Sequence, residues 1–124
     1  MKTRDRLTTA AALAALDMDL GKRSVKNTDD RTDVILYGNV CLSISWKKST
    51  VTLDGSSQCS HLSSRTINPI LEHLTGRKVS NKKGRWYIHN PENGNSDDFT
   101  GVRIEIAITD TLSRIKPGRI HDQH

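Results

Sequence analysis

The chain has 124 residues, 19 Lys+Arg against 14 Asp+Glu for a formal net charge of +5, and 34% hydrophobic residues. That length allows one modest core and excludes two ordinary domains, while the charge favours an acidic partner, either nucleic acid or an acidic protein face. No apolar stretch approaches the ~20 residues of a membrane helix. With Cys41 and Cys59 the only cysteines and no secretory pattern near the amino end, the thiols are expected to be reduced and the protein cytoplasmic.

Residues 3–20 are rich in Ala and Leu, with Leu13, Leu16 and Leu20 at helical spacing ahead of Gly21. This predicts a helix whose thin apolar stripe serves either packing on the domain or contact with a partner. Residues 22–32, KRSVKNTDDRT, have almost nothing to bury and read as a linker. The expected organisation is an N-terminal helix and linker over residues 1–32, a core domain over 33–108, and a mobile basic tail over 109–124.

The core opens with Val34, Ile35, Leu36 and Tyr37 and turns at Gly38-Asn39. Val40, Leu42, Ile44 and Trp46 then alternate with Cys41, Ser43 and Ser45, which gives a strand with one buried and one polar face. Lys47-Lys48-Ser49 reads as a hairpin tip, Val51 and Leu53 continue the apolar face, and Gly55 ends it. After a Ser-rich loop, Ile67, Ile70, Leu71 and Leu74 line one side of a helix. Because Pro69 is tolerated only in a first turn, this helix is predicted from about Ile67 to Thr75, closed by Gly76.

Val79 begins a second hairpin, turned by residues 81–84, whose return strand sends Trp86 and Ile88 inward and Arg85, Tyr87 and His89 outward. Residues 90–101 read as an acidic, turn-rich loop, and Val102, Ile104, Ile106 and Ile108 alternate as a last strand. The fold class that follows is α+β: a small antiparallel sheet of about five to six strands, one helix packed on one face, and an N-terminal helix. Leu42, Ile44, Trp46, Leu53, Ile70, Leu74, Trp86 and Ile104 are expected to share one core.

Three stretches carry a resemblance: Val51-Thr52-Leu53-Asp54-Gly55, the helix start Arg65-Thr66-Ile67-Asn68, and Lys83-Gly84-Arg85-Trp86-Tyr87-Ile88. Over roughly residues 34–106 the chain resembles small accessory or early proteins of tailed bacteriophages. The resemblance implies a phage product acting in the bacterial cytoplasm on host machinery or on DNA, and it implies no catalytic residue.

Catalytic and metal chemistry find little support in the residue pattern. Cys59-Ser60-His61 with Cys41, His73 or His89 matches no recognised zinc spacing. Cys59 with His61 or His73 lacks an acidic orienter, and phosphate-loop and dinucleotide fingerprints are absent. A helix-turn-helix at Ala15, Asp19 and Val25 would need a recognition helix from Lys26-Asn27-Thr28-Asp29-Asp30, which those residues do not favour. No enzyme and no cofactor are therefore expected.

The remaining signal is basic. Arg77, Lys78, Lys82, Lys83 and Arg85 cluster in the second hairpin, and Lys47 and Lys48 form the tip of the first. If the tips share one end of the sheet, these cations make a phosphate-binding surface, with Tyr87 placed to stack on a base. The same residues also fit two different roles. Lys-rich tips keep sheet edges soluble, and the protein could instead be a stoichiometric modulator of a host protein, held by its N-terminal helix or an exposed strand.

Overall fold

The computed structural model describes residues 3–56 and 64–109. Among these residues two helices and nine strands follow in the order α1 (Thr3–Ala14), β1 (Met18–Asp19), β2 (Arg23–Thr28), β3 (Arg31–Leu36), β4 (Asn39–Ser45), β5 (Thr50–Asp54), α2 (Ser64–Thr75), β6 (Lys78–Lys82), β7 (Arg85–His89), β8 (Ser96–Asp98) and β9 (Arg103–Ala107). Strands β1-β2-β3-β4-β5-β9 form one antiparallel sheet, and β6-β7-β8 form a second. The fold is α+β, with the second hairpin in a sheet of its own. Helix α1 packs on α2, β2 and β3, and α2 packs on β6.

The alternation read from the sequence locates the core. Leu42, Ile44, Trp46, Leu53, Ile70, Leu74 and Trp86 are buried together, and Ile104 packs half-buried against them. Residues 22–32 are not a linker, because β2 pairs along its whole length with β3 and sets Val25 opposite Val34, both fully buried. A polar chain anchors this strand: the Trp46 indole donates to Thr32 Oγ1 at 2.7 Å, Thr32 Oγ1 to Asn27 Oδ1 at 2.5 Å, and Asn27 Nδ2 to Asp17 Oδ1 at 2.8 Å. The side-chain and backbone donors of Asn27 hold the Asp17 carboxyl below its usual range.

Both helices depart from their expected limits. Helix α1 stops at Ala14 because Ala15 takes a left-handed φ of 54°. Ala15 N then donates to Ala12 O and Leu16 N to Ala11 O, a Schellman closure built without glycine. Leu16 is 61% exposed, so the apolar spacing beyond the cap had no surface to meet. Helix α2 begins at Ser64 and carries Pro69 inside it. Thr66 and Ile67 are fully buried and Thr66 Oγ1 accepts from Arg23 Nε, so packing holds the first turn despite the donor that proline lacks. Gly76, at φ 76°, closes the helix as expected through its bond to Glu72 O.

A β-bulge alters the start of β4. Val34 faces Leu42 but Ile35 faces Val40, leaving Cys41 as the extra residue. The shift turns Val40 outward, 43% exposed, against the expectation that it continues the buried row. Cys41 is buried and disulfide-bonded, which corrects the expectation of a reduced thiol. Cys59, the other cysteine, lies outside the described residues.

Val79, Trp86 and Ile88 of the second sheet share the buried core of the first, and one junction between them is especially close. Phe99 is fully enclosed, its ring 6.4 Å from that of Trp86, and a Cβ on Gly55 would come within 2.3 Å of Phe99 O. No side chain fits between them. We expect Gly55→Ala to lower stability by about 1–3 kcal/mol through forced displacement at this junction, measured by urea unfolding.

Candidate nucleic-acid interface

Backbone hydrogen bonds fix where each basic residue lies along the molecule. At the end where β5 finishes, Gly101 N donates to Gly55 O, Gly55 N to Val102 O, and Phe99 N to Trp86 O. Trp86 is the second residue of β7, and the strand pairing Lys82 with Arg85 places the Lys83-Gly84 turn just beyond it. At the end where β5 starts, Ile108 N donates to Ser49 O, and Thr109 N donates to Leu74 O in the last turn of α2. Strand β6 leaves that end and runs back along α2, held by Asn68, which accepts from Val79 N at 2.7 Å and donates to Val79 O at 3.0 Å.

The two lysine tips therefore stand at opposite ends. Lys48 and Gly55 are separated by the whole length of β5, roughly 20 Å of extended chain. Lys47 and Lys48 share their end with Arg77 and Lys78, while Lys82, Lys83, Arg85 and Tyr87 lie at the Gly55 end. The single patch expected from sequence divides in two, because the hairpins belong to different sheets and their relative direction is set by α2 and the Gly55 junction.

The eight residues also differ in availability. Lys78 reaches Glu72 at 3.6 Å and Arg85 donates to Asp98 at 2.6 Å, whereas Lys47, Lys48, Lys82 and Lys83 are exposed with no ion pair among the described residues. Tyr87 is half-buried on β7, opposite Ser80 and Asp98. Beside it the His89 ring sits between two hydroxyls, its Nε2 2.8 Å from Ser80 Oγ and its Nδ1 against Ser96 Oγ.

Sequence reasoning missed three contributors to the Gly55 end. Lys22 and Tyr37 meet across the start of β2 and the Tyr37-Gly38 turn, where Tyr37 N donates to Lys22 O and the Lys22 ammonium lies 5.6 Å from the Tyr37 ring centre. Tyr37 is 47% exposed. Arg65, exposed in the first turn of α2, belongs to the same end, since Thr66 bonds to Arg23 at the start of β2. Hidden strand β2 explains the omission: Lys22 lay in a segment read as linker, and Tyr37 and Arg65, the latter through its neighbour Thr66, are brought to this end by contacts with the start of β2.

The outer face of β3, β4, β5 and β9 forms a polar groove of about 520 Å³. Two of its three carboxylates are already engaged, Glu105 being the third. Asp33 accepts from Ser43 Oγ at 2.6 Å and pairs with Arg31, while Asp54 accepts from Ser56 N and pairs with Arg103. Among the described residues no three His, Cys, Asp or Glu converge as a metal site. Cys59 and His61 lie outside those residues.

Asp98 ties the acidic strand β8 to the basic one beside it. The backbone N–H of Thr100 donates to it at 2.8 Å, and that bond, the Thr100 hydroxyl and Arg85 hold its carboxyl below the usual range. A carboxyl depressed by folding contributes stability that is present above its unfolded value and lost as pH falls through the lower folded one. A carboxyl NMR titration should find the Asp98 midpoint below that of ordinary aspartates, moving up in Thr100→Val; an unshifted midpoint in the native protein would contradict the geometry.

No family model, curated protein or solved structure matches the chain.

Proposed function

We propose that the protein is a non-catalytic binding protein whose partner is nucleic acid, held at the Gly55 end of the molecule. The observation that carries this reading is the gathering there of exposed cations from separate elements: Lys22 before β2, Arg65 on α2, and Lys82 and Lys83 at the β6-β7 turn. Exposed Tyr37 offers an aromatic face at the same end. The amino end of α2 also points there, adding the positive pole of its dipole to the field.

The turn itself supports the reading. Lys83 and Gly84 both have positive φ, 53° and 81°, as a two-residue hairpin loop of the primed type requires. Asn, Asp or Gly is the usual first residue of such a loop, and a lysine there forgoes some stability while projecting its charge from the tip. The bacteriophage resemblance is compatible with this role and with modulation of a host protein. For the latter, α1 is poorly placed as a free contact element, since Thr8, Ala11 and Ala12 are buried.

Binding of labelled duplex DNA, single-stranded DNA and RNA, followed by fluorescence anisotropy over a range of salt, tests the proposal. Four phosphate contacts give a log–log salt slope of about −3 to −4. Lys82→Ala with Lys83→Ala should reduce that slope by about 2, whereas Lys47→Ala with Lys48→Ala should leave it unchanged at protein concentrations where a single chain binds. Lys83→Asn should weaken binding while raising thermal stability slightly, separating charge from fold. Absence of binding to all three nucleic acids at low salt sinks the proposal.

A further inference from the structure

Four strands form the margins of the two sheets, and three of them are blunted. β1 has two residues, β8 has three and carries Asp97-Asp98, and the outer backbone groups of Val79 on β6 are taken by Asn68. Short length, charge and side-chain cover are the usual protections of a sheet edge. β9 lacks the first and the last of these, and its two charges, Arg103 and Glu105, are opposite in sign. It pairs with β5 over five residues without a bulge, contains no proline, and among the described residues nothing bonds to its far side.

The phase of its hydrogen bonds is fixed by its ends. Val102 O accepts from Gly55 N, and Ile108 N donates to Ser49 O. Bonded positions alternate along an antiparallel ladder, so residues 102, 104, 106 and 108 turn their peptide groups toward β5, and Arg103, Glu105 and Ala107 turn theirs to the open edge. A strand added there must bond to those three residues.

We propose that the strand is β9 of a second copy, paired antiparallel about a twofold axis through Ile104. Among the twofold registers that the bonding phase permits, centring on Arg103 opposes arginine to arginine, and centring on Glu105 opposes glutamate to glutamate. Centring on Ile104 sets Arg103 opposite Glu105 of the other copy, twice, and both pairs fall at hydrogen-bonded positions. Like charges directly opposite disfavour pairing and unlike charges favour it. On the inner face the same register puts Val102 opposite Ile106 and Ile104 opposite Ile104. Val102 is 53% exposed and Ile104 half-buried in the single chain, so pairing covers apolar surface that the core leaves open. Arg103, with 76% of its side chain exposed, remains free to reach across while keeping its 3.7 Å approach to Asp54.

Charge exchange tests both the surface and the register. By sedimentation velocity the native chain should pass from monomer to dimer as its concentration rises, with the Arg103 and Glu105 amides protected from hydrogen exchange only in the dimer. Arg103→Glu alone and Glu105→Arg alone should each stay monomeric. Mixed together they should form a heterodimer, since each pair is then complementary, and the double exchange in one chain should dimerise again. The mixture guards against misfolding, because an unfolded variant cannot restore association. A native chain monomeric at every concentration overturns the proposal, and so does a dimer that both single variants preserve. Protection of these amides in the monomer also overturns it and assigns the edge to another segment of the same chain.

Discussion

Packing of Phe99 between Trp86 and the bare backbone of Gly55 is the constraint on which the arrangement of the two sheets depends. Gly55 ends β5, Phe99 follows β8, and Trp86 lies in β7, so one enclosed ring connects strands of both sheets. Three backbone bonds around it, Phe99 to Trp86, Gly101 to Gly55 and Gly55 to Val102, leave no slack in the chain between β8 and β9. Burying an aromatic ring of this kind contributes on the order of 2–3 kcal/mol, comparable with a sizeable share of the stability of a domain this small. The β6-β7 turn is fixed at this end of the molecule as a consequence.

Strands that bury one face were legible because their residues alternate. Leu42, Ile44 and Trp46, or Trp86 and Ile88, announce an inward row whatever they pack against. β2 was illegible for the converse reason. Its one large apolar residue, Val25, is joined to the core by pairing with Val34, and the rest of its anchoring is polar, through Asn27, Thr32 and Asp17. Each such bond contributes only about 0.5–1.5 kcal/mol, and none leaves a periodic trace in the sequence. The bulge at Cys41 is invisible for a related cause: it depends on how β3 and β4 register, and both Val40 and Cys41 are acceptable on either face.

The basic site shows the same division. Which lysines would be exposed at turns was readable from composition and turn signals, and Lys47, Lys48, Lys82 and Lys83 stand exposed at turns as expected. Whether two turns share an end is a property of chain direction in three dimensions. The bidentate contact of Asn68 with Val79 and the bond from Thr109 to Leu74 set that direction, and they join residues separated by 11 positions in one case. A helix polar residue such as Asn68 gives no sign in one dimension that it will complete a strand edge.

The two open features of the surface are related by the same chain direction. β9 starts near the Gly55 end and finishes beside Ser49. An antiparallel partner on its edge reverses the ends, so the Gly55 end of one copy stands beside the β4-β5 tip of the other. Lys82 and Lys83 of the first copy would then share a side of the assembly with Lys47 and Lys48 of the second, β5 being next to β9 in each sheet. Strand pairing at β9 thus brings together between two chains the cations that the fold separates within one, and a polyanion lying across that side would meet both tips. On this view the charge pattern of the edge, Arg103 and Glu105 about Ile104, controls both the association of copies and the extent of the basic surface they present.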